Sequence, residues 1–189
     1  GSVNYGLYYL ALRGRKLRVI VRDVEFRTFV GIVLLSIALL TLLNLDVHPD
    51  PLDSLRYATF MVGTTVSSTG YGTDDYTAFG TPAFAIMIFL MFVGGCSGST
   101  AGGLKIERVV IMAKQSIAQI KRSFLPSVVQ VVRMGKRVVP KPVLADVMSF
   151  FVVYMFCMAV GILVVAAIDD VPVPTAFGAM LTCLSNMGP

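Results

Sequence analysis

Charge is scarce in this chain. Only 14% of its 189 residues are Asp, Glu, Lys or Arg, against 56% hydrophobic, with a mean hydropathy of +0.78. A soluble domain carries about a quarter charged residues, so that class is excluded. Histidine is nearly absent. The one copy, His48, lies beside Pro49 in an acidic turn and reads as a solvated loop residue. Without a His, Asp or Glu cluster at membrane depth, a membrane-embedded enzyme lacks its acids, bases and metal ligands. The chain therefore reads as no enzyme, with no cofactor of its own. Cysteine is sparse too. Cys96, Cys157 and Cys183 have no paired spacing that suggests a disulfide or a metal site, and they read as small apolar residues. No N-terminal signal peptide is visible, since the first 27 residues are polar or basic in character. Gly1-Ser2 reads as an expression scar.

What is present is membrane sequence. Thr28 to Leu45 and Leu144 to Ile168 are each long and apolar enough to span a bilayer. A shorter apolar stretch, Phe79 to Val93, runs into a glycine cluster. Of 16 basic residues, six lie in Arg13 to Arg27 and nine in Lys105 to Lys141, with only Arg56 elsewhere. Basic loops stay on the cytoplasmic side. The other loops hold Asp46, Asp50, Asp53, Asp74, Asp75, Asp169 and Asp170, where cations would arrive from outside. For Asp74 and Asp75, ordinary solvated loop acids and a cation-recruiting role both remain open. No aromatic or nucleic-acid motif accompanies the basic loops, so no nucleic-acid partner is expected.

Leu45 to Phe79 is too apolar for a plain loop and too short for two spans. Leu52 to Val66 predicts a helix about 22 Å long, which enters the bilayer partway and returns. Asp53 is expected at its favourable N-terminal end. Its C-terminal dipole end would favour a cation at the cavity centre. The chain then reads Ser67-Ser68-Thr69-Gly70-Tyr71-Gly72. Residues 68–72 differ from the TVGYG filter loop only in the first two positions. A filter of this kind replaces an ion's water shell with backbone carbonyls, although the same string also suits a strand-to-turn junction.

The pattern recurs after a shift of 118 residues. Gly70 then falls on Gly188, Ser67 on Ser185, Thr64 on Thr182 and Ala58 on Ala176. Each copy has a span, an acidic external turn, a short re-entrant helix and a serine-containing turn ending in glycine. Such internal repeats mark architecture. Two filter segments make only half a ring, so the chain reads as part of a larger protein or assembly.

Ten small residues follow the outgoing helix: Gly94, Gly95, Cys96, Ser97, Gly98, Ser99, Thr100, Ala101, Gly102 and Gly103. Each glycine lowers helix stability by roughly 1 kcal/mol, so the helix should break here. Three readings compete. A phosphate-binding loop would need lysine directly after the second glycine, whereas Leu104 intervenes before Lys105. Gly94-x-x-x-Gly98 could be a close helix-packing face. The favoured reading is a flexible loop beneath the filter that obstructs ions and moves aside.

Together, Ser68-Thr69-Gly70-Tyr71-Gly72, the run from Gly94 through Lys105, and Leu184-Ser185-Asn186-Met187-Gly188-Pro189 resemble the TrkH/KtrB family of potassium-uptake proteins, in the Trk/Ktr/HKT superfamily. Leu10-Ala11-Leu12-Arg13-Gly14-Arg15 also looks like that family's link into its third repeat. The resemblance implies an all-α membrane protein with four helix–pore-helix–helix repeats around one pseudo-fourfold potassium pore. This chain would hold a basic cytoplasmic linker (1–27), the third repeat (28–120), a basic connection (121–143) and the fourth repeat up to its filter (144–189). Potassium, the substrate, would sit at the carbonyls of Ser68 to Gly72 and of Ser185, Asn186, Met187 and Gly188. Gly94 to Gly103 would be the gating loop. The resemblance further implies a multi-pass protein of the inner (plasma) membrane and a homodimer. Its basic segment Lys105 to Lys141 would face a cytosolic regulatory ring of the TrkA/KtrA type, which carries nucleotide sites. The family's arginine near the filter lies in a last helix that this sequence lacks. The implied function is potassium transport, as a channel or a symporter. The alternative is a non-conducting membrane scaffold packed through small residues.

Overall fold

A computed structural model describes residues 1–14, 18–73, 80–124, 131–135 and 137–188. The expected external acids Asp74 and Asp75, Phe79, Arg15 and Pro189 lie outside the described residues. Among the described residues the fold is all-α apart from one small hairpin. Two short helices, α1 (Tyr5–Gly14) and α2 (Arg18–Arg22), lead into α3 (Val24–Leu43), and a single 3-10 turn (Asn44–Asp46) follows. Helices α4 (Pro51–Val66), α5 (Gly80–Val93) and α6 (Ile106–Phe124) come next. After α6, β1 (Arg133–Met134) pairs antiparallel with β2 (Arg137–Val138). The chain closes with α7 (Lys141–Asp169) and α8 (Val173–Leu184).

The two predicted spans are α3 and α7, of 20 and 29 residues. At 1.5 Å per residue, α3 is about 30 Å long, one hydrocarbon core. α3 starts four residues before the expected Thr28 because Asp23 caps it, its side chain accepting the Phe26 N–H at 2.9 Å. α7 starts at Lys141 because Pro142 fits a first helical turn. Both helices expose long apolar side chains, including Leu34, Leu35 and Leu42 on α3 and Val152, Phe156 and Leu163 on α7. Surfaces of that kind suit lipid or neighbouring helices and not water.

The short helices fold back beside these spans. α4 packs on α3, and Ser54 donates its hydroxyl to the Thr41 carbonyl at 2.7 Å. Leu40, Ala58, Met61, Val62, Met87 and Leu90 form the core where α3, α4 and α5 meet. α8 packs on α7 in the same way, and Leu104, Tyr154, Met158 and Leu181 form a second core. Contacts between α5 and α8 join the two units. Arg108 of α6 lies over the Phe150 ring of α7, 4.1 Å from its centre.

Asp53 lies in the first turn of α4, as expected, and pairs with Arg56 at 3.4 Å. The capping residue is Asp50, which accepts the Leu52 N–H at 3.0 Å, with Pro51 beside Asp53 in the first turn. The reason is steric: proline's fixed φ suits the first helical position, which puts the cap one residue earlier. The chain's first residues are packed as well. Ser2 is buried, and its carbonyl accepts the Cys96 N–H at 2.7 Å. Gly1 and Ser2 both pack against the loop between α5 and α6.

Candidate functional site: two turns and a glycine loop

Helices α4 and α8 end alike. Ser67 has φ −81° and ψ −3°, and Ser185 has φ −81° and ψ −1°. The next residues, Ser68 and Asn186, are both left-handed, with φ of 56° and 50°. Three hydrogen bonds recur at the 118-residue shift. Ser67 N–H donates to the Gly63 carbonyl at 3.1 Å, and Ser185 N–H to the Leu181 carbonyl at 2.9 Å. Ser68 N–H reaches Thr65, and Asn186 N–H reaches Cys183, both at 3.1 Å. Thr69 N–H reaches Thr64, and Met187 N–H reaches Thr182, both at 3.0 Å. The last two bonds of each set define a Schellman end, which requires one left-handed residue just past the helix. The repeat seen in four identities is therefore a repeat of backbone geometry.

Past these ends the two chains meet. A Cβ on Gly70 would lie 2.4 Å from the Gly188 carbonyl oxygen, and one on Gly188 would lie 2.7 Å from the Thr69 oxygen. Gly70 is also left-handed, at φ +84°. No side chain fits between the strands at this crossing. Thr69 is fixed further by its hydroxyl, 2.7 Å from that of Ser67. Tyr71 and Gly72 extend outward, with the Tyr71 side chain 73% exposed.

The glycine run breaks the helix as expected. α5 ends at Val93, and helix resumes only at Ile106. This removes the helix-packing reading of Gly94-x-x-x-Gly98, because these residues are not helical. The segment is also not a loose loop. Cys96 is fully buried, Ala101 nearly so, and Leu104 N–H bonds back to the Phe92 carbonyl at 2.9 Å. Lys105 turns its ammonium onto the Ser99 carbonyl at 3.1 Å and onto the Ala101 carbonyl.

The loop touches both turns. Gly102 N–H donates to Ser68 Oγ at 3.0 Å. A Cβ on Gly102 would lie 1.9 Å from the Ser185 carbonyl oxygen. Ser185 is itself buried and donates its hydroxyl to the Met91 carbonyl at 2.9 Å. Of the residues singled out in the sequence, Ser68, Thr69, Gly70, Ser185, Asn186, Gly188 and the loop are thus brought together. His48 stands apart, stacked on Tyr57 with ring centres 4.3 Å apart. Cys157 and Cys183 are exposed and distinct from the buried Cys96.

Sequence reading missed two participants. Glu25, in the first turn of α3, is buried and accepts the Ser97 N–H. Its signal was a lone glutamate at the start of a span, hidden among basic residues. The other is the N-terminal strap. Thr100 N–H donates to the Gly1 carbonyl and Tyr5 N–H to the Gly98 carbonyl, both at 3.3 Å.

Known proteins carry the same sequence pattern. The family described as TrkH, cation transport protein, matches residues 14–189. The Trk system potassium uptake protein TrkH of Salmonella typhimurium is 35% identical over 192 residues, covering 98% of this chain and 39% of that protein. TrkH of Halomonas elongata is 32% identical over 193 residues, with 100% and 39% coverage. The crystal structure of the potassium transporter TrkH from Vibrio parahaemolyticus superposes with a TM-score of 0.91 at 29% identity, covering 98% of this chain and 40% of that one. The chain spans about two fifths of the length of these relatives. With the paired helix ends, the loop between them and a match over nearly every residue, the chain belongs to the TrkH family of cation transport proteins.

Proposed function

We propose that the protein containing this chain carries potassium across the inner (plasma) membrane through a multi-pass pore, of which this chain supplies two of four filter segments. The observation that carries this reading is the crossing of two geometrically equivalent turns at Gly70 and Gly188. Carbonyls of Ser68 to Gly72 and of Ser185 to Gly188 replace the water shell of the ion. The C-terminal ends of α4 and α8 both approach this crossing, and their dipoles favour a cation there. External aspartates such as Asp46, Asp50 and Asp53 raise the local cation concentration. The relatives named as potassium uptake proteins support potassium as the substrate. A transporter of this kind needs no catalytic residue and no cofactor.

The loop from Gly94 to Gly103 acts as the gate. It contacts both turns, so moving it aside alters the path below them. The basic residues of α6 and the segment up to Lys141 receive a cytosolic regulatory ring of the TrkA/KtrA type, and two copies of the protein form the working dimer. The test is ion flux through the full-length protein in liposomes. Replacing Gly70 by Ala should reduce potassium selectivity over sodium. Unchanged selectivity and flux would overturn the filter assignment.

A further inference from the structure

The loop between α5 and α6 is anchored from several sides, and most anchors are backbone groups or small hydroxyls. The strap at Gly1 and Ser2 binds it with carbonyls, and Ser68 binds it with a hydroxyl. Lys105 binds it from within. Glu25 is different. It is a charged side chain from another helix, 72 residues away in sequence, buried at 7% exposure, with its carboxylate on the Ser97 N–H.

A carboxylate removed from water is stable only with compensating partners. Two backbone groups compensate this one, the Ser97 N–H and the amide of Glu107 in the first turn of α6, while the nearby Glu107 and Asp23 carboxylates repel it. Glu25 therefore joins the start of α3, the middle of the loop and the start of α6. A hydrogen bond to a charged group is roughly twice as strong as one between neutral groups, and Glu25 supplies such a bond from outside the loop.

We propose that Glu25 is a positioning residue, a latch whose bond to the Ser97 N–H holds the 94–105 loop against the two filter turns. The inference rests on the gating role given to that loop. Breaking the bond frees the middle of the loop while leaving the Gly102–Ser68 contact and the filter backbone in place.

The test uses full-length protein in which Cys96 is the only cysteine, with the Glu25→Met and Glu25→Gln variants. Methionine keeps the volume and removes the acceptor, whereas glutamine keeps an acceptor oxygen. Two readouts run together: the rate at which a small methanethiosulfonate modifies Cys96, and potassium flux without the regulator. The latch predicts about a tenfold faster Cys96 reaction for Glu25→Met and a clearly smaller rise for Glu25→Gln, as expected for loss of one charge-assisted bond. Equal rates in all three proteins, or equal rises in both variants, overturn it. Faster modification with unchanged flux keeps the latch and overturns the gating role of the loop. Should Glu25→Met fail to fold, amide exchange over residues 94–105 in Glu25→Gln decides: faster exchange supports the latch, and unchanged exchange overturns it.

Discussion

Gly102 N–H donates to Ser68 Oγ at 3.0 Å, while the Cα of Gly102 faces the Ser185 carbonyl with no room for a Cβ. One residue of the loop is thus bonded to the first turn and pressed against the second. The two turns and the loop are therefore one packed unit. A shift of Gly102 itself must be felt at both turns, since packed interiors have little slack at this scale.

Gly102→Ala tests that unit. The φ of Gly102 is ordinary, so the effect comes from space alone. The nearest atoms are backbone of Ser185, which cannot swing aside as a flexible side chain would. Overpacking of this kind costs about 1–3 kcal/mol. The thermal midpoint of the full-length protein should fall, and flux without the regulator should rise as the loop is pushed from the turn after α8. A variant with the wild-type midpoint and flux would show that loop and turn are not in contact.

Gly70→Ala and Gly188→Ala should differ. Both introduce a methyl at the strand crossing, 2.4 Å from one carbonyl oxygen and 2.7 Å from the other. Gly70 alone also has a left-handed φ, +84°. Holding alanine there adds about 1–2 kcal/mol of backbone strain. Gly70→Ala should therefore lose more potassium-over-sodium selectivity than Gly188→Ala in parallel flux assays. A larger loss at Gly188 would contradict the geometric ranking.

How far the sequence foretold this arrangement depends on the range of the interaction. Helix ends are local, so α4 and α8 were legible from apolar runs ending in serine and glycine turns. The 118-residue shift was legible because Schellman ends place small or turn-forming residues at fixed offsets. The break after Val93 was legible from glycine density alone. Contacts across 34 to 94 residues were not, including Gly102 to Ser68, Glu25 to Ser97 and Ser185 to Met91. No local pattern marks which serine hydroxyl or glutamate will face a distant loop. Glycine density does not tell which positions serve close backbone approach, as Gly94 and Gly102 do, with 2.2 Å between a Gly94 Cβ and the Gly102 oxygen.

Ser68 separates strain from bonding. Its side chain accepts the Gly102 N–H, but its left-handed φ of 56° disfavours any side chain. Ser68→Gly removes both the bond and the strain. These effects are each about 1 kcal/mol and opposite in sign, so stability should change little. Ser68→Ala removes the bond and keeps the strain, and should lower the thermal midpoint clearly. Asn186→Gly, at the equivalent position with φ 50°, should be neutral or slightly stabilising. If Ser68→Ala were as stable as Ser68→Gly, the left-handed backbone assignment would be wrong.

Asp50 and Asp53 give a test at the outer end of α4. Asp50 accepts the Leu52 N–H at 3.0 Å and satisfies a donor that the helix leaves open. Removing such a cap costs about 0.5–2 kcal/mol. Asp53 pairs with Arg56 at 3.4 Å, with both side chains more than half exposed. Exposed pairs contribute about 0–1 kcal/mol, and salt screens them. Asp50→Ala should therefore lower the thermal midpoint of the full-length protein more than Asp53→Ala. Asp50→Asn should recover most of the loss, because asparagine caps equally well. Raising salt should erase the small effect at Asp53 and leave the effect at Asp50. A larger, salt-insensitive loss from Asp53→Ala would mean that Asp53, and not the Asp50 cap, holds the first turn of α4.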